Sequence, residues 1–340
     1  MSRLSASGAT GTAARNAAGS MNGKPQPGRA STVFLILGSL LLAGLFLMSP
    51  TAGGEEPTGA TFWIATLALV VLSVAGIRRM AALDGHKAYA TLTAALFGIW
   101  VVYFWQLLTV ALGVPRVLLP APWLIVLSLF DNLPKLGNDF TQTVLKAVVI
   151  GWALGSGLGF AVAVAIDRLP FLQRGLLPIA SLTSTIPLVG VAPIAVMWFG
   201  FDWPSKAAVV VLMTFFPMLV STLAGLQASN RLERELMHSY AAGYGRTLWS
   251  LRLPAALPFM IGALKVNATL ALIGAIVAEF FGSPTSGLGF RISTEATKMN
   301  MPLVWAAVVV AAVTGSVAYA LLVALERRAA FWHPSVRGKK

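Results

Sequence analysis

The sequence predicts an all-α, polytopic helical membrane protein with about eight transmembrane helices, and three observations carry that prediction. Hydrophobic residues fill 57% of the 340 positions and charged residues 11%, whereas soluble domains are about a quarter charged. The apolar residues gather in runs close to the ~20 residues a helix needs to cross a bilayer with its backbone groups satisfied internally. The basic residues gather in alternate segments between those runs, which is the pattern that sets membrane orientation.

Along the chain, residues 1–30 are rich in Ala, Gly and Ser, lack any acidic residue, and contain no apolar run. They read as a disordered cytoplasmic tail rather than a signal peptide, with Met21 as an alternative start. Residues 31–87 hold two apolar segments, 33–48 and 61–77. Residues 88–330 hold six more: 89–112, 143–166, 176–199, 207–226, 259–281 and 303–325. The third of these six contains Pro187 and Pro193 and is expected to be kinked or broken. Residues 331–340 form a basic cytoplasmic tail.

Eight spans leave both termini on one side. With that side cytoplasmic, 18 of the 25 Lys and Arg residues lie inside and five outside, the other two lying at span ends. This places the chain as multi-pass, with both termini in the cytoplasm. The formal net charge of +13 is thereby a topology signal and an attraction to anionic headgroups, with no nucleic acid needed to explain it. Cysteine is absent and the three histidines are scattered, so disulfides and metal clusters are not expected and no cofactor is implied.

One inner segment, 227–258, is long. Its first half has helical spacing, and Tyr240, Tyr244 and Leu248 fall at i, i+4 and i+8, an apolar-aromatic stripe suited to a groove. Pro254 and Pro258 are expected to break the helix before the next span. This segment resembles the coupling motif of permease subunits of ABC importers: Glu-Ala-Ala, three residues, Gly, nine residues, Ile-x-Leu-Pro. Here it runs Glu235-Leu236-Met237, three residues, Ala241, nine residues, then Leu251-Arg252-Leu253-Pro254. The spacing is kept throughout. Alanine at 241 gives up the backbone freedom of glycine, which argues against a positive-φ turn there.

The stretches at 186–200, 215–226, 253–265, 278–290 and 326–334 extend the resemblance to the nitrate, sulfonate and taurine group of type I importer permeases, which also takes in carriers of pyrimidine precursors. It covers residues 88–335, so the first two spans are additions to a six-helix core. The resemblance implies a plasma (bacterial inner) membrane location, cytoplasmic ATPase subunits as partners, a second permease copy, most simply a homodimer, and an extracytoplasmic solute-binding protein. It also implies ATPase coupling through Glu235, Tyr240, Ala241, Tyr244, Leu248, Leu251, Leu253 and Pro254. A docking helix and an amphipathic helix lying on the inner membrane surface both fit the segment; the proline pair and the motif spacing favour docking.

Glu279 is the acidic residue nearest a span interior, and burying it demands a partner or a watery path. It reads either as a pathway residue or as a structural carboxylate paired with a base such as Arg291. Asn267 and Thr269, with Ser184, Thr185 and Pro187, mark the seventh and fifth spans as the polar ones. Each of these polar side chains is also explained as helix–helix glue. Gly151, Gly155 and Gly159 form a small-residue face for close helix approach, within the chain or between subunits. Lys265 is expected to snorkel towards headgroups.

No phosphate-binding loop appears in the sequence, so ATP hydrolysis falls to a partner and the chain is not itself an enzyme. The expected substrate is a small solute, a pyrimidine-precursor-like heterocycle ahead of sulfonate, taurine or nitrate. A secondary carrier or channel working without an ATPase is the alternative, and a membrane-embedded enzyme would need a constellation of groups that the sequence does not offer.

Overall fold

The computed structural model describes residues 87–169, 171, 187–282 and 285–331, with isolated helical positions between 38 and 75. The expected spans at 33–48 and 61–77 and both tails therefore lie largely or wholly outside the described residues. Every regular element described is helical: α1 (Lys87–Ala111), α2 (Pro122–Asp131), α3 (Leu133–Arg168), α4 (Leu188–Phe199), α5 (Trp203–Gln227), α6 (Arg231–Ser239), α7 (Tyr244–Phe281), α8 (Leu288–Thr297) and α9 (Met301–Ala329). Of these, α3, α5, α7 and α9 are long and apolar enough to cross a membrane, while α1, α2 and α4 carry shorter apolar stretches.

The chain divides into two compact units, Met1–Pro115 with Ala121–Trp123, and Arg116–Pro120 with Leu124–Lys340. In the first, α1 buries Leu96, Trp100 and Tyr103. The Trp100 and Tyr103 rings meet edge to face at 5.9 Å, so these aromatics pack.

In the second unit, α5 lies along both α3 and α7, and α9 packs against α7 and α8. The glycine face explains the first contact. A Cβ on Gly151 would lie 2.6 Å from Val210 Cβ, one on Gly155 2.7 Å from the Val211 carbonyl, and one on Gly159 2.5 Å from the Phe215 carbonyl. The interface left open by the sequence is thus internal, α3 on α5. Gly225 repeats the device on the other flank, against Ala256 of α7.

Helix ends are set by local chemistry. Asp202 caps α5 by accepting from the Trp203 N–H at 2.8 Å, and Asn230 caps α6 by accepting from the Leu232 N–H at 3.1 Å; side-chain caps of this kind contribute about 1 kcal/mol. At the far end of α6, Ala242 N–H donates to the Met237 carbonyl at 3.0 Å and Ala241 N–H to the His238 carbonyl at 2.9 Å. That is a Schellman turn, and it carries Ala241 at φ +52°. The expectation against a positive φ at 241 is corrected: the paired bonds enforce the turn, and alanine bears the strain that glycine would avoid. Ala241→Gly is therefore expected to stabilise the protein by about 1 kcal/mol, read as a raised thermal midpoint of the purified protein.

A second correction concerns the prolines. The segment after Tyr244 does not break at Pro254 or Pro258; α7 runs on for 38 residues, about 57 Å at 1.5 Å per residue, well beyond a ~30 Å hydrocarbon core. The residues Leu248–Arg252 form a wide turn in which the Leu253 N–H reaches back to the Leu248 carbonyl. Widening the helix just before Pro254 makes room for a ring that would otherwise clash with the preceding turn. A similar wide segment, Thr141–Val148, sits within α3.

α3 begins at Leu133, ten residues before the expected span, and the loop expected before it contains α2. α4 begins at Leu188, with Pro187 as its extended N-terminal neighbour and Pro193 inside it. Residues 172–186 lie outside the described residues.

Candidate functional site

The bundle has two chemically distinct ends, one bearing α6 and the other α8. At the first, α6 buries none of its residues. Glu235 pairs with Arg231 at 2.8 Å, both side chains well exposed, an arrangement good for about 0.3–0.5 kcal/mol. Leu232, Leu236 and Tyr240 are 72%, 56% and 78% exposed, and at i, i+4 and i+8 they share one face of the helix.

The stripe expected from the sequence is therefore split. Tyr240 ends α6, the Schellman turn interrupts the helix, and Tyr244 starts α7. Leu248 is buried in a cluster with Leu226 and Ala256, against which Val164, Tyr244, Leu253 and Met260 pack. Leu251, Leu253 and Pro254 are half-buried at the wide turn. Tyr244 and Leu248 thus face the chain's own core, because the turn at 241 resets the helical phase on which the expected stripe depends.

Beneath α6 lies a cluster that sequence reasoning missed. The Arg252 guanidinium donates to both oxygens of Asp167, at 2.7 and 2.6 Å, and its Nε donates to the Leu226 carbonyl at 3.1 Å. The Tyr244 hydroxyl donates to the same Asp167 at 2.9 Å, and the Arg168 guanidinium lies 5.7 Å from the Tyr244 ring centre. Asp167 stands just past the expected end of its span at residue 166, where a carboxylate draws no notice. A helix extended by one turn would have flagged it as a carboxylate needing a base.

In the middle of the bundle Asn267 is fully buried. Its amide donates to Ser156 Oγ at 2.9 Å and to the Thr214 carbonyl at 2.8 Å, joining α7 to α3 and α5 with bonds that contribute about 0.6 to 2 kcal/mol each in a membrane. Thr269, by contrast, is exposed, as is Pro187. Ser184 and Thr185 lie outside the described residues. Lys265 pairs with Glu326 of α9 at 2.8 Å.

At the opposite end, side chains from α3 and α7 hold the N-terminus of α8. Asp139 accepts from the Gly287 N–H at 2.9 Å, Thr143 Oγ1 from the Leu288 N–H at 2.8 Å, and Glu279 from the Gly289 N–H at 2.7 Å. Thr143 in turn donates to Glu279 at 2.7 Å. The first N–H groups of a helix have no partner inside it and carry partial positive charge, so two carboxylates and a hydroxyl satisfy them well. Gly287, at φ +138°, brings its backbone so close that a Cβ would lie 2.6 Å from the Glu279 carboxylate.

The base expected for Glu279 goes elsewhere. Arg291 pairs with the fully buried Asp139, Nε to Oδ2 at 2.7 Å, and the hydrogen bond it donates to Asp139 holds the guanidinium pKa above its ordinary value. Burial would raise the Glu295 pKa, but hydrogen bonds from Asn300 and Lys298 and the nearby cations outweigh it and lower the value. The Trp203 N–H chiefly lowers that of Asp202. A cavity of about 430 Å³ opens beside this cluster, lined among others by Lys135, Asp139, Gln142, Lys146 and Arg291. Asp139 and Thr143 lie four apart on one face of α3, a spacing visible in the sequence had the span been started early enough.

With this geometry in view, comparison with known proteins identifies the group. Residues 155–331 match the family described as binding-protein-dependent transport system inner membrane component. The chain is 32% identical over 240 residues to a formylaminopyrimidine transport permease of Halalkalibacterium halodurans, covering 71% of this chain and 95% of the relative. It is 28% identical to a putative aliphatic sulfonates transport permease of Bacillus subtilis, covering 75% of this chain and 92% of the relative. To the taurine transport system permease of Escherichia coli it is 28% identical, covering 62% and 73%. The chain belongs to the binding-protein-dependent transport system inner membrane component family and is a multi-pass permease subunit of an ABC importer.

Proposed function

We propose that this permease works as one of two identical copies in the bacterial inner membrane, termini in the cytoplasm, with α6 docked on a cytoplasmic ATPase subunit. One observation carries the reading. A short charged helix, fixed at both ends by its cap and its Schellman turn, exposes Leu232, Leu236 and Tyr240 in line. Apolar side chains so presented suit a groove in a partner, and Glu235, engaged weakly by Arg231, remains available beside them. Ala241 fixes the exit angle of the helix, while Leu251, Leu253 and Pro254 seat the start of α7.

The homodimer reading draws on α4, whose Met197 and Trp198 are 82% and 78% exposed. We propose that the solute path runs alongside α4 and α7, past Pro187 and Thr269, with Asn267 and Glu279 bracing its walls and Ser184 and Thr185 belonging to the same polar stretch. A solute-binding protein delivers at the α8 end.

For the substrate we infer a small nitrogen heterocycle of the pyrimidine-precursor kind, ahead of sulfonate, taurine or nitrate. The relative covered over 95% of its length carries formylaminopyrimidine in its name. Among the described residues, the cations set into the bundle are already engaged: Lys206 by the Phe201 and Asp202 carbonyls, Lys265 by Glu326, Arg252 by Asp167. An oxyanion would find little there to neutralise it.

The test is Leu236→Asp. An exposed substitution of this kind leaves stability within about 0.5 kcal/mol, so the variant is expected to purify normally but to lose co-purification with its ATPase. Retention of the ATPase by Leu236→Asp would overturn the docking reading.

A further inference from the structure

We propose that Arg252 is a positioning residue that makes α6 and the spans move as one body, by tying α3, α5 and α7 together directly beneath α6. This rests on the reading that α6 docks on the ATPase. The resemblance leaves position 252 unspecified, as the free residue between Leu251 and Leu253, yet its side chain makes three hydrogen bonds to two other helices.

Three bonds leave one guanidinium for two partners on two other helices. Two go to Asp167 at the end of α3, and the third caps the Leu226 carbonyl at the end of α5. Arg252 itself belongs to the wide turn of α7. Helix C-terminal carbonyls lack partners within their helix, so the Nε bond supplies one that α5 would otherwise miss. Side-chain exposure is 13% for Arg252 and 7% for Asp167; a fork-to-carboxylate pair this sheltered is far stiffer than the open Arg231–Glu235 pair. Tyr244, the first residue of α7 after the α6 turn, anchors on the same Asp167.

The consequence is mechanical. A push on α6 reaches the spans through the turn at residues 241–243 and then through Tyr244. If α3, α5 and α7 were free to slide at that point, the push would be absorbed locally. With the guanidinium in place, all three are carried together, as rigid-body switching requires. Lysine cannot substitute, because an ammonium lacks the planar fork that reaches both the carboxylate and the carbonyl.

The absence of cysteine makes a spin-label test direct. Cysteines at Arg234 on α6 and Leu158 on the exposed face of α3 are labelled in the permease–ATPase complex, and their separation is measured without nucleotide and with ATP and vanadate. In the otherwise unchanged chain the distance distribution is expected to stay the same in both states. In Arg252→Gln, and to a smaller degree in Arg252→Lys, it is expected to shift and broaden with nucleotide while the ATPase stays bound. An Arg252→Gln complex whose distance remains as fixed as in the unchanged chain would overturn the proposal. Should Arg252→Gln fail to fold, the Arg252→Lys variant, which keeps the charge, decides the same question. Failure of the docking reading is distinguishable, since it would show as ATPase retention by Leu236→Asp with Arg252 intact.

Discussion

Gly155→Leu is expected to abolish the folded bundle, whereas Gly157→Leu, two residues along the same helix, is expected to be tolerated. Gly155 is buried against α5, where even a methyl carbon would lie 2.7 Å from the Val211 carbonyl, 2.9 Å from its Cα and in overlap with Thr214 Oγ1. Two of those atoms are backbone, so the clash cannot be relieved by a rotamer change. Adding one carbon to a full site costs about 1–3 kcal/mol, and four carbons on a helix flanked by Gly151 and Gly159 force the two axes apart along three turns. The same separation would strip the Asn267 amide of Ser156 and the Thr214 carbonyl, so the losses compound. Gly157 meets nothing within 4 Å and faces outward. Size-exclusion profiles of the two variants in detergent give the comparison: aggregation of Gly155→Leu beside a monodisperse Gly157→Leu. A monodisperse Gly155→Leu would mean that α3 and α5 do not pack through this face.

That contrast was half legible in the sequence. Spacing of four between Gly151, Gly155 and Gly159 announced a close approach, because only small residues let two helices meet in lipid. It did not announce the partner, since Val210, Val211 and Thr214 carry no mark distinguishing them from other apolar span residues. The spans themselves were legible where apolar runs are continuous: α5 and α9 begin and end within a few residues of the expected limits. They were misjudged where polar residues lie inside a helix. Asp139 and Lys135 hid the first turns of α3, and Arg246, Arg252, Pro254 and Pro258 hid the first turns of α7.

The site shows the same limit more sharply. Composition singled out Glu279 as the awkward acid, correctly as to burial; of its two readings, pathway residue or carboxylate paired with a base such as Arg291, the second loses its named partner, because Arg291 pairs with Asp139. Asp139 and Asp167 escaped notice because each sits at a span end, where a carboxylate costs little if exposed and a great deal if the helix continues. Both are sheltered and both hold an arginine. The family was recognisable in part by the spacing from Glu235 to Pro254, yet the phase of that segment's apolar face depended on one residue, Ala241, whose positive φ no propensity would assign to alanine.

Asp139→Ala is expected to cost about 3–5 kcal/mol, the range for removing one partner of a buried ion pair and leaving the other uncompensated. Arg291 would keep its charge with the remaining carboxylate, Glu295, at 3.8 Å, and the Gly287 N–H would lose its acceptor. Because Gly287 opens α8, the damage should be local before it is global: amide exchange across residues 288–297 is expected to rise well before exchange in α5 or in the buried part of α7. The exposed pair Arg231–Glu235 supplies the contrast, since Glu235→Ala removes an equally short ion pair but is expected to change stability by less than about 1 kcal/mol. Charge, rather than the lost contact, is the physical cause proposed. The double variant Asp139→Ala with Arg291→Met, which removes the stranded cation as well, is therefore expected to recover part of the stability, since apolar replacement of a whole buried pair is often close to neutral. If the double variant were as unstable as the sum of the two single ones, or if exchange in α8 stayed unchanged in Asp139→Ala, the carboxylate would not be what latches α8 to α3.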